Sequence, residues 1–573
     1  MNNLIKPLFS AFILFVAMPI CAEPLPQTTP SLTLIESLYQ KVDQRDFDAE
    51  LFKQALASSK VETQVIALKG LGRIGGKQII PLVIPFLKNE NHLVRHAAVF
   101  ALGISQSTDA NQYLWPLLKS ENNETNRQEI YLALGNLGSD HLVVKMLNNL
   151  NLEKDLSTKA SIFQSLSMAM TMHPELNVQL DMTNSQSDID FNALLALMEQ
   201  DDQLSYAVGY FLARVKKIEK QLSPAQLQRF ILGLKDTNNK KIFARLIGKV
   251  TKKKHLANRR LLTWLIEQTE QKDISLATEA IHAMKPLLYI PQAKIQLGKL
   301  IKFPNQLVAQ TALKVLADSN IKSGELIKLF KEQLKSENVG MVVIAMSGLI
   351  DRQKRDKMTW ALKILSHKSN YVKIRFAQMI ASKDKKGFTN VLKSLSKDTA
   401  PSVASFVNDL LEEKETKTVK QPTSSYQAVL DSNDQIVILK TSKGDVHIQL
   451  NNHAPYTAAH FIQLVKNGIY DGSYFARVIG NFVAQGGDTT ENNYQYDAKS
   501  IREEISYLSH LTGTVGIATG GKDTGTTGFF INLGDNIHLD RRYTIFGNVI
   551  KGMENVYKLS NGDQIISAKL AAQ

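Results

Sequence analysis

One stretch near the C-terminus concentrates residue types that can handle a peptide. In Phe475-Ala476-Arg477-Val478-Ile479-Gly480-Asn481-Phe482-Val483-Ala484-Gln485-Gly486-Gly487-Asp488, an arginine is followed by a phenylalanine five positions on and a glutamine three further. A guanidinium is a permanent cation with rigidly placed donors, and beside an aromatic wall and an amide it suits a site that grips polypeptide backbone. Taken singly, Phe482 or Phe530 could be strand core and Arg477 a surface ion-pair partner; their joint order is what argues for a site. Other chemistries are excluded. The single cysteine, Cys21, falls in an N-terminal leader, so a mature chain has no thiol for catalysis, disulfides or thiolate metal sites. His453, His460, His510 and His538 lack metal-ligand spacing and read as surface or pocket-edge groups. No metal or cofactor is expected. The glycines between Gly520 and Gly525 resemble a phosphate loop, but no Lys-Ser/Thr follows them, so no nucleotide is expected.

The elements around this stretch read as strands. Ile436 to Lys440 and Val446 to Leu450 alternate apolar and polar residues and flank Ser442-Lys443-Gly444-Asp445, a β-hairpin with glycine at the turn. A helix is predicted from about Ala458 to Lys466, with Thr457 as its N-cap. The motifs Ala454-Pro455-Tyr456-Thr457, Gly513 to Ala518, Gly528-Phe529-Phe530-Ile531-Asn532-Leu533-Gly534-Asp535-Asn536, Leu539-Asp540 and Tyr543 to Val549 surround the block in sequence.

In that order and spacing the region resembles the cyclophilin-type peptidyl-prolyl isomerases over about a quarter of the chain. The resemblance implies a closed eight-stranded antiparallel β-barrel with two helices. It also implies a catalytic set of Arg477, Phe482 and Gln485, in which Arg477 donates to the prolyl nitrogen and Gln485 holds a substrate carbonyl. Val483, Phe530 and Leu539 would wall the proline pocket with Phe482, and Tyr543 and His538 would border it. Backbone groups of Ala518 and Thr519 would bind the residue before proline. Several positions depart from the family pattern: Ala476 for a histidine, Gly480-Asn481 for Pro-Gly, Val483 for methionine, Thr519 for asparagine, Gly528 for a glutamine that binds substrate backbone, and His538 for an aromatic, often tryptophan. Losing one backbone hydrogen bond at Gly528 is worth about 0.5 to 1.5 kcal/mol, so activity is expected to be reduced rather than abolished.

Upstream, Ala67 to Gly72, Ala98 to Gly103 and Ile130 to Gly135 repeat at offsets of 31 and 32, and Ala280, Ala312 and Ala345 continue the period. Small residues at Gly70, Ala101 and Ala133 would let helices approach closely. The pattern resembles HEAT-type repeats: helix pairs that bury their apolar faces only by stacking into a solenoid with a long concave surface, expected here to bind a protein partner. The expected organisation is therefore multidomain, with a leader at 1–22, an all-α HEAT-like solenoid at 30–411, a linker at 412–432 and a cyclophilin-like β-barrel domain at 433–573.

From Asn433 onward the chain carries 12 Lys and Arg against 13 Asp and Glu, so of the net +14 the first 432 residues hold +15. The basic runs Lys252-Lys253-Lys254, Arg259-Arg260 and Lys383-Asp384-Lys385-Lys386 read as solvated helix surface, and no nucleic acid partner is expected. At the N-terminus, Lys6 precedes an uncharged apolar run from Leu8 to Met18, too short to span a membrane. Cleavage near Ala22 and a periplasmic or secreted location are expected, with no transmembrane span. Met18-Pro19-Ile20 does not fit lipid modification at Cys21. The sequence thus points to an isomerase acting on proline-containing polypeptide clients. The alternative is a non-catalytic scaffold that binds proline-containing segments.

Overall fold

The structure, a computed structural model, describes residues 32–176, 191–221, 239–251, 258–353, 357–412, 419–420, 426–487 and 499–571. The leader, Cys21 and the run from Lys252 to Lys254 lie outside these residues. Among the described residues no helix is long and apolar enough to cross a membrane.

The N-terminal region stacks one row of helices: α1 (Leu32–Gln44), α2 (Val61–Ile74), α3 (His92–Ile104), α4 (Glu124–Leu137), α5 (Leu156–Met172), α6 (Asp202–Leu212), α7 (Lys240–Val250), α8 (Ile274–Ala283), α9 (Gln306–Ala317), α10 (Val339–Arg352), α11 (Asn370–Asp384) and α12 (Pro401–Leu411). Shorter helices between them form a second row. Eight of these twelve helices start after a polar residue whose side chain accepts a backbone N–H of the first turn, satisfying a donor the helix itself cannot. Asn91, Asn123 and Asp155 do this at steps of 32, and Asp273, Asn305 and Asn338 at steps of 32 and 33. The caps therefore punctuate the repeat. Close stacking involves two of the small residues singled out from sequence, Ala101 and Ala133, each met by a glycine of the preceding helix. A Cβ on Gly72 would lie 2.7 Å from the Ala101 Cα, and one on Gly103 would lie 2.7 Å from the Ala133 Cβ, so these glycines set the helix spacing.

The C-terminal region forms one eight-stranded antiparallel sheet of β1 (Ile436–Thr441), β2 (Gly444–Leu450), β3 (Arg477–Ile479), β4 (Val483–Gly486), β5 (Thr514–Ile517), β6 (Phe529–Asn532), β7 (Ile545–Lys551) and β8 (Ile565–Leu570). Its strand order is β8-β1-β2-β7-β5-β6-β4-β3. Backbone bonds from Gly472 N to Ile565 O, Ile565 N to Ser473 O and Phe475 N to Asp563 O link the two edge regions and curl the sheet into a barrel. Phe461 on α14 (Pro455–Lys466) packs inside against Tyr470, Phe529 and Phe546. Thr457 is not the cap of this helix, which begins at Pro455. Instead its N–H and hydroxyl both donate to the buried Glu504 carboxylate, at 2.7 and 2.9 Å.

Part of the stretch read as a linker is built into the structure. Val419–Lys420 pairs in parallel with Lys499–Ser500. Helix α13 (Tyr426–Asp431) places Val429 in a small core with Ile35 of α1 and Tyr456 of α14. Residues 413–418 and 421–425 lie outside the described set.

The expectation of an open concave surface is overturned: the helix row curves around the chain's own barrel. Ties run from Arg45 to Tyr371. The Arg45 guanidinium meets the Asp523 carboxylate at 2.7 Å, and Arg73 on α2 donates to the backbone oxygens of His453 and Ile505. Arg541 forms a buried two-point ion pair with Glu129 on α4, at 2.8 and 2.6 Å, with Phe100 on α3 beneath its guanidinium. Gln310 on α9 bonds Asn561, and the Tyr371 hydroxyl on α11 donates to the Ala476 carbonyl. Ala476 and Ile537 of the barrel are buried in the helical core, and Leu307 of the helices is buried in the barrel core.

Candidate functional site

Sheet register brings the block's side chains together. Arg477 on β3 sits opposite Gln485 on β4, and Gln485 opposite Phe530 on β6, so the three form a row on one face of three neighbouring strands. Gly516 continues the row on β5, and its missing side chain leaves room for the Phe530 ring, which a Cβ there would meet at 2.5 Å. The Arg477 Nη1 lies 3.5 Å from Gln485 Oε1, and its guanidinium carbon lies 5.2 Å from the Phe482 ring centre.

Next to this row is an apolar cluster. Val483, Ala518, Phe530 and Leu539 are buried together, with Phe482 and Tyr543 partly exposed at the edge. Tyr543 meets Phe530 edge-on, at 5.9 Å and 89°. His538 stacks on Phe482 at 5.7 Å and 26°. Thr519 is half-buried just after Ala518. The Ala518 N–H is taken by the Gly528 carbonyl at 2.8 Å, so it does not serve as a substrate donor. All ten residues singled out for the site therefore converge on one side of the barrel.

Two supports escaped the sequence reading. The Phe482 carbonyl accepts from both Leu533 N and Asn536 Nδ2, at 2.9 and 2.7 Å, which fixes the loop carrying its ring. His510 is not a surface group but fully buried: it stacks on Phe530 from within the barrel at 5.7 Å, and burial pushes its pKa down to about 3. His460 is likewise buried, with its Nε2 against the Thr526 carbonyl. Neither can respond to solvent as a pocket-edge histidine would.

The departures divide in two. Four of them touch the helices. Ala476 packs in the helical core beside Tyr371. A Cβ on Gly480 would come within 2.1 Å of the Thr278 Oγ1, so the proline common there cannot fit. Asn481 holds a φ of +53°, a left-handed conformation that asparagine tolerates, and donates to Glu279 on α8 at 2.8 Å. Glu279 in turn holds Arg245 on α7 through two bonds, at 3.0 and 2.9 Å. The Tyr210 hydroxyl on α6 lies 2.6 Å from His538 Nδ1. Gly528 is different: a Cβ there would find nothing nearer than 3.6 Å, so the missing glutamine leaves open space.

Comparison with known proteins matches the barrel and the helical row separately. A family model described as cyclophilin type peptidyl-prolyl cis-trans isomerase/CLD matches residues 436–570, and one described as HEAT repeats matches residues 49–135. A peptidyl-prolyl cis-trans isomerase of Acinetobacter baylyi is 42% identical over 135 residues, covering 22% of this chain and 72% of that protein. One of Synechococcus elongatus is 39% identical over 136 residues, covering 23% of this chain and 94% of that protein. Among solved structures, a cyclophilin type peptidyl-prolyl cis-trans isomerase of Cryptosporidium parvum aligns at 24% identity and a TM-score of 0.23, covering 24% of this chain and 98% of that one.

Proposed function

The chain belongs to the cyclophilin-type peptidyl-prolyl cis-trans isomerase family, and on that premise we propose that it turns X-Pro bonds in polypeptide clients at the pocket beside Arg477. The observation that carries this reading is the Arg477 guanidinium standing over the Phe482 face within reach of Gln485, next to the apolar cluster of Val483, Ala518, Phe530 and Leu539.

The reaction needs no covalent step. Rotation about the X-Pro bond is slow, about 10 to 100 s uncatalysed, because amide resonance worth roughly 18–20 kcal/mol of barrier is lost in the twisted state. As resonance is lost the prolyl nitrogen becomes pyramidal and gains a lone pair. A donor aimed at that nitrogen binds the twisted state better than either planar state, which is how binding energy becomes rate. Arg477 supplies such a donor with a charge that does not titrate. Val483, Phe530 and Leu539 grip the pyrrolidine ring while Gln485 anchors a carbonyl on the proline side, so that side of the bond is held and the carbonyl before proline is free to swing.

In this reading the helical row serves the barrel as a cradle, and clients reach the pocket from the side the helices leave open. Export is part of the proposal: Lys6 followed by the uncharged run Leu8 to Met18 supports a periplasmic or secreted location. A proline-peptide isomerisation assay on the full chain tests the central step. Arg477→Ala should lower kcat/KM by about 10² to 10³, the usual consequence of removing a transition-state donor. Peptide binding with no Arg477-dependent rate would favour a non-catalytic binder.

A further inference from the structure

The contact between His538 and the helices reaches into the site itself. The Tyr210 hydroxyl has two lone pairs and one proton to distribute. Arg214, just past α6, donates to it from Nη2 at 2.8 Å, with its guanidinium carbon 3.7 Å over the same ring. Arg214 can only donate, and the one acceptor that the described residues offer the hydroxyl proton is His538 Nδ1, 2.6 Å away, so the proton goes there. Nδ1 is therefore an acceptor, and a neutral imidazole with an unprotonated Nδ1 carries its proton on Nε2. Burial, together with the charges of Arg214 and Arg245, keeps the ring neutral by pushing its pKa down to about 2. Among the described residues Nε2 has no protein partner, and the ring is partly exposed where it stacks on Phe482.

We propose that Tyr210 and Arg214 are positioning residues for the isomerase site: they lock His538 in its Nε2–H tautomer, which presents a hydrogen-bond donor to a carbonyl of the peptide lying across Phe482. Two residues more than 260 positions from the catalytic block thereby set the donor pattern of the pocket's edge. Arg214 suits the task because it has no carboxylate partner among the described residues; its acceptors are the Tyr210 hydroxyl and the Tyr210 carbonyl, the latter at 3.2 Å. Its charge is thus spent on orienting the hydroxyl rather than on an ion pair.

The inference rests on the isomerase reading only for the identity of the bound peptide, so its test uses binding and spectra rather than turnover. Full-length protein labelled with 15N-histidine would be compared as the parent, Tyr210→Phe, His538→Phe and the double variant, with a proline tetrapeptide as probe. The parent should show His538 with a protonated Nε2 and an acceptor-type Nδ1. Tyr210→Phe should shift that pattern toward the other tautomer and weaken peptide affinity about threefold to tenfold, the worth of one hydrogen bond. In the His538→Phe background, where no tautomer exists to lock, adding Tyr210→Phe should change affinity less than about twofold. An unchanged 15N pattern in Tyr210→Phe, or the same affinity loss in both backgrounds, would overturn the proposal. A shifted pattern with coupled affinity but no catalysed isomerisation would support the lock and contradict the isomerase reading instead.

Discussion

The two flanks of the proline pocket are built differently. On one, Ala476, Gly480, Asn481 and His538 are each matched to a helix of the surrounding row, through Tyr371, Thr278, Glu279 and Tyr210. On the other, Gly528 faces open space and Thr519 stands half-buried. Both flanks depart from the family pattern, yet only the second has lost something. A departure on the docked flank is an adaptation: glycine at 480 is what admits Thr278, and asparagine at 481 keeps the left-handed turn while reaching Glu279. A departure on the open flank is a missing contact that nothing replaces.

This contrast can be broken most forcefully at the buried pair between Glu129 and Arg541. Glu129→Ala leaves the Arg541 guanidinium buried against Phe100 with its charge unanswered, which is expected to weaken docking by about 3 to 5 kcal/mol. Denaturant unfolding followed separately in helix and barrel should then split one transition into two. A single unshifted transition would mean that the barrel does not depend on its cradle.

A second, smaller effect concerns acid. His538 must stay neutral when folded, with its pKa pushed down to about 2 from the ordinary 6.5. The stability linked to that neutrality is present above pH 6.5 and is lost as the pH falls toward 2, because the unfolded chain takes up the proton first. His538→Phe removes this linkage. Between pH 7 and 4.5 it should lose up to about 2 kcal/mol less stability than the parent, as read from urea midpoints. Glu503 and Asp540, both raised to about 7 by burial, pull the opposite way over the same range. Comparing the variant with its parent cancels their contribution. Equal acid losses in the two proteins would show that His538 is not held neutral by the docked flank.

The smallest effect belongs to the open flank. Gly528→Gln places a side chain where a Cβ fits without collision, so it should fold and gain a backbone contact worth about 0.5 to 1.5 kcal/mol, raising kcat/KM up to about tenfold. The same gain is not available at Gly480, where any side chain meets Thr278. A Gly528→Gln protein no faster than the parent would remove the distinction between the flanks.

What the sequence disclosed follows from where its partners lie. Arg477, Phe482 and Gln485 sit within nine residues, and strand alternation alone places the first and last opposite each other across a hairpin. The helical row was legible through its period, and its capping residues at Asn91, Asn123 and Asp155 repeat the same signal in polar form. Docking left no local trace. Glu129 and Arg541, Tyr210 and His538, and Glu279 and Asn481 are 412, 328 and 202 positions apart, and no periodicity connects them. Without them, Gly480-Asn481 and His538 read as erosion of a catalytic motif, and the concave helical surface reads as vacant. His510 was misplaced for a related reason: a histidine on a buried strand junction has no pattern that separates it from one on a rim.

The proposed isomerase activity requires that this site twist a peptide bond and not merely hold it. Two-dimensional NMR exchange spectroscopy on a proline tetrapeptide, with the full-length protein at a small fraction of the peptide concentration, reads that event directly. The account predicts cross peaks linking the cis and trans forms on a sub-second timescale, against about 10 to 100 s for the free peptide, and their disappearance with Arg477→Ala. Shifted peptide resonances without exchange between the two forms would contradict it.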